Sequence, residues 1–199
     1  MGNKMKLEQS AQPRLILHPC NPTADPPLLQ LQQTLEQIAL IAEPLRFGDR
    51  RHWRPGEAFL RRITFLGCSP VVALGEPGAT GDSFCHIAIE GPWPAARFRT
   101  TRQRRDPRCR HCRTPLTGSA LDAALQQWQQ QPLTAPPHHC SGCGRDTPLP
   151  ALDWRGIAGF GRLFIDIFGI FEGEAVPDAS LLQSLAALTG GEWRYFYQT

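Results

Sequence analysis

The chain has 199 residues, a net charge of +3 and 41% apolar residues, enough for a core of ordinary size without cross-links. No apolar run approaches the roughly 20 residues of a membrane helix. The polar start MGNKMKLEQSAQ lacks the apolar centre of a secretory signal, so a cytoplasmic protein with a loose tail over residues 1–12 is expected.

Residues 14–18, RLILH, read as a short strand. Asp25-Pro26-Pro27 reads as a helix start with Asp25 as cap. Leu28, Leu31, Leu35, Ile38 and Ala42 then recur at three- and four-residue steps, which predicts a helix ending near Glu43-Pro44. Within 45–82, residues 57–66 fit helix or strand, 70–74 a strand, and GEPGATGD (75–82) a loop. Residues 83–90, SFCHIAIE, alternate, with Cys85, Ile87 and Ile89 on one face and His86 and Glu90 on the other. That is the pattern of a half-buried strand.

Residues 91–150 change composition toward arginine, glutamine, proline, histidine and cysteine and read as an inserted module. After them, RLFIDIFGIF (162–171) is a strongly apolar strand. Pro177-Asp178 opens a helix with Leu181, Leu185 and Leu188 inward and Gly190-Gly191 as its stop. EWRYFYQ (192–198) is a last strand. Without the insertion the order is strand, helix, strand, strand, helix, strand. This topology resembles the ferredoxin-like α+β sandwich, formed here by 13–90 and 151–199, and the resemblance implies no function.

Seven cysteines in a chain without a secretory signal point to metal rather than to a disulfide framework. Four of them form two pairs, CRHC (109–112) and CSGC (140–143). A pair spaced in this way grips one metal from a tight turn, and two pairs complete the tetrahedron that structural zinc prefers. The pairs resemble the zinc-ribbon and zinc-knuckle superclass, which makes Cys109, Cys112, Cys140 and Cys143 the ligands of a structural Zn2+. Gly144 matches the usual knuckle glycine. Arg113 does not, so a less regular first turn is expected. The spacer of 27 residues exceeds the common range of about 15–20 and has room for a helix capped by Ser119, with Leu121, Leu125 and Trp128 on one face and Pro132 as its stop. Four thiolates would also suit an iron–sulfur cluster, and His111, His138 or His139 could replace a cysteine. A four-cysteine site leaves no open position for Lewis-acid catalysis.

Only Lys4 and Lys6 are lysines. Residues 97–113 hold eight arginines and one acid, formally +7 in a chain whose total is +3, so the remainder is −4. Arg97, Arg99, Arg102, Arg104, Arg105 and Arg108 are the candidate anion- or partner-binding residues, because arginine forks match phosphate and dense runs bind nucleic acid. Trp93 and Phe98 could add stacking faces. The opposing reading has these arginines offset the charge of a zinc tetrathiolate or meet acids elsewhere.

Cys85 reads as core, Cys68 as the more reactive loop thiol, and Cys20 has no assigned role. Asp166 shares a face with Phe164 and Phe168 and needs a cationic partner, unless its strand is an exposed edge. Glu172 and Glu174 read as acids of an exposed turn. The leading expectation is a non-catalytic, bacterial-type zinc protein that docks a protein or a nucleic-acid-like polyanion. The alternatives are an enzyme with a site near Cys68, His86 and Glu172, or a redox or metal-handling accessory protein.

Overall fold

The computed structural model describes residues 12–47, 50–67, 84–101, 106–132 and 134–198. The first strand, β1 (Arg14–Pro19), is buried along its whole length. Leu15 and Leu17 enter the main core, while Arg14, Ile16 and His18 alternate onto the opposite face. Helix α1 (Leu28–Gln37) buries Leu31 and Leu35. It starts after Pro27 with no side-chain cap, and Asp25, the expected cap, instead pairs with Arg162 at 2.9 Å.

The helix also ends earlier than expected. Ala39 takes a left-handed φ of +53°, and the chain leaves as strand β2 (Ile41–Phe47). The turn is held by Ala58 N donating to Ala39 O and Gly56 N to Leu40 O. A Cβ on Gly56 would lie 2.3 Å from that Ala39 carbonyl oxygen. Strand β3 (Arg50–Pro55) completes a hairpin with β2. The stretch 57–66 holds both structures weighed for it, a short helix α2 (Phe59–Arg62) and strand β4 (Ile63–Phe65). Cys68, the expected strand 70–74 and the loop 75–82 lie outside the described residues.

The remaining elements are β5 (Ile87–Glu90), β6 (Arg97–Thr100), α3 (Gly118–Gln130), β7 (His138–His139), β8 (Asp146–Thr147), β9 (Ala158–Gly161), β10 (Phe164–Phe168), β11 (Ala175–Pro177), α4 (Ala179–Thr189) and β12 (Trp193–Gln198). Asp178 caps α4 by accepting from Ser180 N at 2.8 Å, and Gly190 ends it at φ +66°. In α3, Leu121, Leu125 and Trp128 form the buried face, but Thr117 rather than Ser119 occupies the cap position.

The fold is mixed α and β, with strands paired antiparallel. One sheet has six strands in the order β12-β1-β10-β5-β3-β2. Its edge hairpin, β2–β3, comes from residues left unassigned or read as helix end. Pro44 is tolerated there because β2 is an edge strand with an irregular register between Ile41 and Pro44. Among the described residues no helix is long and apolar enough to cross a membrane.

The two faces of the sheet carry different cores. On one, α1 and α4 pack Leu31, Leu35, Leu181 and Leu185 against Leu15, Leu17, Ile87, Ile165 and Ile167. The other carries Ile16, Phe164 and Phe196 with partly buried Trp93, and also His18, His86 and Asp166, all buried. The β6–β9 pair, which periodicity did not reveal, lies against this second face. A Cβ on Gly159 of β9 would come within 2.7 Å of both the His18 ring and the Phe196 ring. A further apolar cluster joins the α3 face to Leu149, Leu152, Trp154, Ala158 and Phe160, so the core around α3 draws on residues past 150.

Candidate metal centre

Both cysteine pairs sit on hairpin turns of the same construction. In the first, Arg113 N donates to Cys109 O and Cys109 N to Thr114 O; in the second, Gly144 N donates to Cys140 O and Cys140 N to Arg145 O. Strands β7 and β8 form the stem of the second hairpin. Arg108 bridges Pro115 and also Asp153 beside the first. Arg113 takes φ +66° and Gly144 φ +67°. The first turn is therefore as regular as the second, contrary to expectation, and an arginine occupies the left-handed position at a steric cost of about 1–2 kcal/mol. The Arg113 guanidinium pairs with Asp153.

The turns bring all four sulfurs within 4.8 Å of one another. Cys109 Sγ lies 3.8 Å from Cys143 Sγ, and Cys112 Sγ 3.5 Å from Cys140 Sγ. Metal–sulfur bonds of about 2.3 Å at tetrahedral angles separate sulfurs by about 3.8 Å, whereas a disulfide would need about 2.05 Å. The donor set thus fits one tetrahedral metal ion. The first cysteine of each pair is buried and the second exposed. Among the described residues this is the one group of three or more histidine, cysteine or acidic side chains able to hold a metal, and no histidine belongs to it.

The surroundings account for two of the three histidines weighed as ligands. His111 N donates to Cys109 Sγ at 3.4 Å, and its ring Nδ1 accepts from Arg145 Nη1 at 3.0 Å, tying one turn to the other. His139 pairs with Asp146 across the β7–β8 stem at 2.8 Å. Gly142 fits under the first turn, since a Cβ there would lie 2.1 Å from Thr114 Oγ1. Hydrogen bonding from Thr114 pulls the Cys112 thiol down to about 6. The Arg145 N–H favours the Cys143 thiolate, but partial desolvation and the crowding sulfurs of Cys112, Cys109 and Cys140 outweigh it and push that thiol up to about 12. A cation among the sulfurs removes the mutual repulsion that resists full deprotonation.

Among the described residues of the arginine run, Arg97 and Arg99 go to different partners. The Arg97 guanidinium stacks over the Trp93 ring at 4.2 Å. Arg99 turns inward, where its Nη1 and Nη2 donate to the two oxygens of Asp166 at 2.7 and 2.8 Å. Arg14 Nη1 donates to the same carboxylate at 3.1 Å. Asp166 is therefore a buried acid on a central strand, held by two cations. Arg108 is exposed, and Arg102, Arg104 and Arg105 lie outside the described residues. Phe98 packs with Trp154 and Phe160 and is not an open stacking face.

Of the residues weighed for catalysis, Cys68 lies outside the described residues, and the others are placed as follows. His86 is stacked between Phe84 and Phe168 at 4.6 and 4.2 Å, and burial lowers its pKa to about 4. Cys85 is core, its thiol pushed up to about 12 by burial. Glu172 is exposed, and Glu174 accepts from Phe171 N at 2.9 Å to close the turn. The sequence signals missed here were Gly142, Thr114 and Asp153, whose roles depend on packing between segments. Comparison of the chain with protein-family models, with curated proteins and with solved structures yields no match.

Proposed function

We propose that this protein is a non-catalytic zinc-binding accessory factor, in which a structural zinc shapes an arm that docks a protein or anionic partner. The observation that carries this reading is the closed set of four sulfurs on two matching turns. Such a set leaves no coordination position for substrate, so the ion's contribution is to folding, on the order of 10 kcal/mol for small modules of this kind. The exposed cations Arg108, Arg110 and Arg145, on or next to the two turns, support an acidic or anionic partner. The domain reading belongs to the same proposal: 91–150 is a zinc module inserted into a ferredoxin-like sandwich of 13–90 and 151–199, a reading supported by the neighbouring of β12, β1, β10 and β5 in one sheet, with residues 151–161 completing the module's core.

The test is binding of RNA and single-stranded DNA over a salt series, by the wild type and by a variant with Arg102, Arg104 and Arg105 replaced by Gln, with zinc content and melting temperature measured alongside. A salt-sensitive interaction lost in a variant that keeps its zinc supports a polyanion partner. Absence of binding at low salt removes nucleic acid and leaves a protein partner. A second reading, a redox or metal-handling accessory protein, is favoured by the exposure of Cys112 and Cys143. Fast zinc exchange with a competing chelator would support it against a structural ion.

A further inference from the structure

A cleft of about 510 Å³ lies where the first cysteine turn approaches the edge strand β12. Arg110, inside CRHC, and Arg194, on β12, both line it, together with Cys20, Pro22, Pro148 and Asp153. Both arginines are exposed, and neither is ion-paired among the described residues. The one acid in the lining is already committed. Asp153 pairs with Arg113 and accepts from Arg155 N at 3.0 Å. The prolines have no N–H to offer, and the carbonyl of Pro148 is taken by Ala151 N at 2.8 Å. Burial raises the pKa of the Cys20 thiol and keeps it neutral. The charge left over in this concave site is that of two guanidinium groups.

Two other cavities among the described residues differ. One of about 280 Å³ holds Arg162, which is spent on Asp25 and on the Trp93 carbonyl at 2.7 Å. A groove of about 360 Å³ along α3 has alanine and proline walls with His138 and His139, and no arginine. Of these three cavities among the described residues, the cleft at β12 combines uncompensated cations with a volume in the range of small-molecule sites, about 300–1,000 Å³.

We propose that this cleft is an oxyanion site, in which Arg110 and Arg194 hold the phosphate or carboxylate groups of a small ligand. Arginine presents paired N–H donors that match either oxyanion, and charge-assisted bonds of this type are roughly twice as strong as neutral ones. Arg110 lies between two of the four clustered cysteines, so a folded turn is needed to present it. The site thereby deepens the accessory reading, in that the metal assembles one wall of a binding cleft.

The experiment uses the full-length, metal-loaded protein titrated calorimetrically at low salt with inorganic pyrophosphate and, separately, with citrate. Saturable binding of either supports the site, and the preferred probe identifies phosphate or carboxylate as the source. Arg110→Gln and Arg194→Gln should each weaken binding by about tenfold or more, the loss of one charge-assisted contact. Arg155→Gln, exposed and outside the lining, should leave it unchanged. No saturable binding of either probe up to about 10 mM, binding that survives both cleft substitutions, or an equal loss in the Arg155 control would each overturn the proposal. Metal content is measured on the same samples. If Arg110→Gln sheds its metal, Arg194→Gln decides the matter. A protein that carries no zinc but loses anion binding on Arg194→Gln would refute the metal reading and leave the cleft standing.

Discussion

Replacing Asp166 with asparagine keeps the side chain's size and removes the charge that two arginines share. Asp166 is fully buried, and it receives three hydrogen bonds, from Arg14 at 3.1 Å and from Arg99 at 2.7 and 2.8 Å. Each guanidinium also faces an aromatic ring, Arg14 over Phe168 at 4.6 Å and Arg99 over Phe164 at 4.9 Å. Those rings cannot replace a counter-ion. Removing one partner of a buried ion pair costs about 3–5 kcal/mol, because the remaining charge stays desolvated. Arg99 is 16% exposed, and water can reach it, so the lower end, about 3 kcal/mol, is expected. For a chain of this size that lowers the melting temperature by about 6–12 °C. Because Arg99 sits on β6 and Asp166 on the central strand β10, the loosening should concentrate in β6 and β9. The assay is thermal unfolding of zinc-loaded protein combined with hydrogen exchange. A cost below about 1 kcal/mol, or exchange that rises as much in α1 and α4 as in β6 and β9, would refute the idea that this carboxylate fastens β6 to the sheet.

Three more perturbations follow from single positions. Arg113→Gly should match or exceed the wild type in zinc-loaded melting temperature, because glycine accepts φ +66° freely and the ion pair lost with Asp153 is largely solvent-screened. Arg113→Ala, which keeps the strain, should be about 1 kcal/mol less stable than Arg113→Gly; equal stabilities would contradict the left-handed assignment. Gly159→Ala should cost about 1–3 kcal/mol in urea unfolding, since its methyl meets the His18 and Phe196 rings at 2.7 Å, and a neutral result would mean that β9 stands off the sheet. Burial lowers the pKa of both His18 and His86 from the ordinary 6.5 to about 4. Between those values the unfolded chain binds protons that the native chain does not, so stability present above about pH 6.5 is lost as pH falls toward 4. The loss is up to about 3 kcal/mol per histidine, and replacing either histidine should flatten the slope of urea stability over that interval.

The parts of the fold written in local pattern were legible. The two cysteine pairs, the Leu121–Leu125–Trp128 face of α3, the Asp178 cap and the Gly190 stop each depend on residues within a turn or two of one another. The place of Asp166 on the face of Phe164 and Phe168 was legible by alternation, but the pattern left open whether it is a buried, partnered acid or an exposed one on an edge strand, and could not say which arginines would reach it. What escaped depends on which element covers which face. His86 alternates as if solvent lay on its side of the sheet, yet it is buried. β6 reads as charge because Arg97 and Arg99 flank one phenylalanine, and β9, AGFG, is too short and glycine-rich to show a period. The β2–β3 hairpin carries Pro44 and four arginines, a composition that a sheet accepts at its edge and that resembles a loop in isolation.

The central claim is that one zinc ion is held by Cys109, Cys112, Cys140 and Cys143. X-ray absorption at the zinc edge on purified full-length protein tests it most directly, with elemental analysis on the same sample. The account predicts about one zinc per chain, surrounded by four sulfur scatterers at about 2.3 Å, and a sharp loss of zinc in Cys112→Ser. Stoichiometric iron with visible absorbance, a shell containing nitrogen or oxygen in place of a sulfur, or zinc unaffected by that substitution would contradict it.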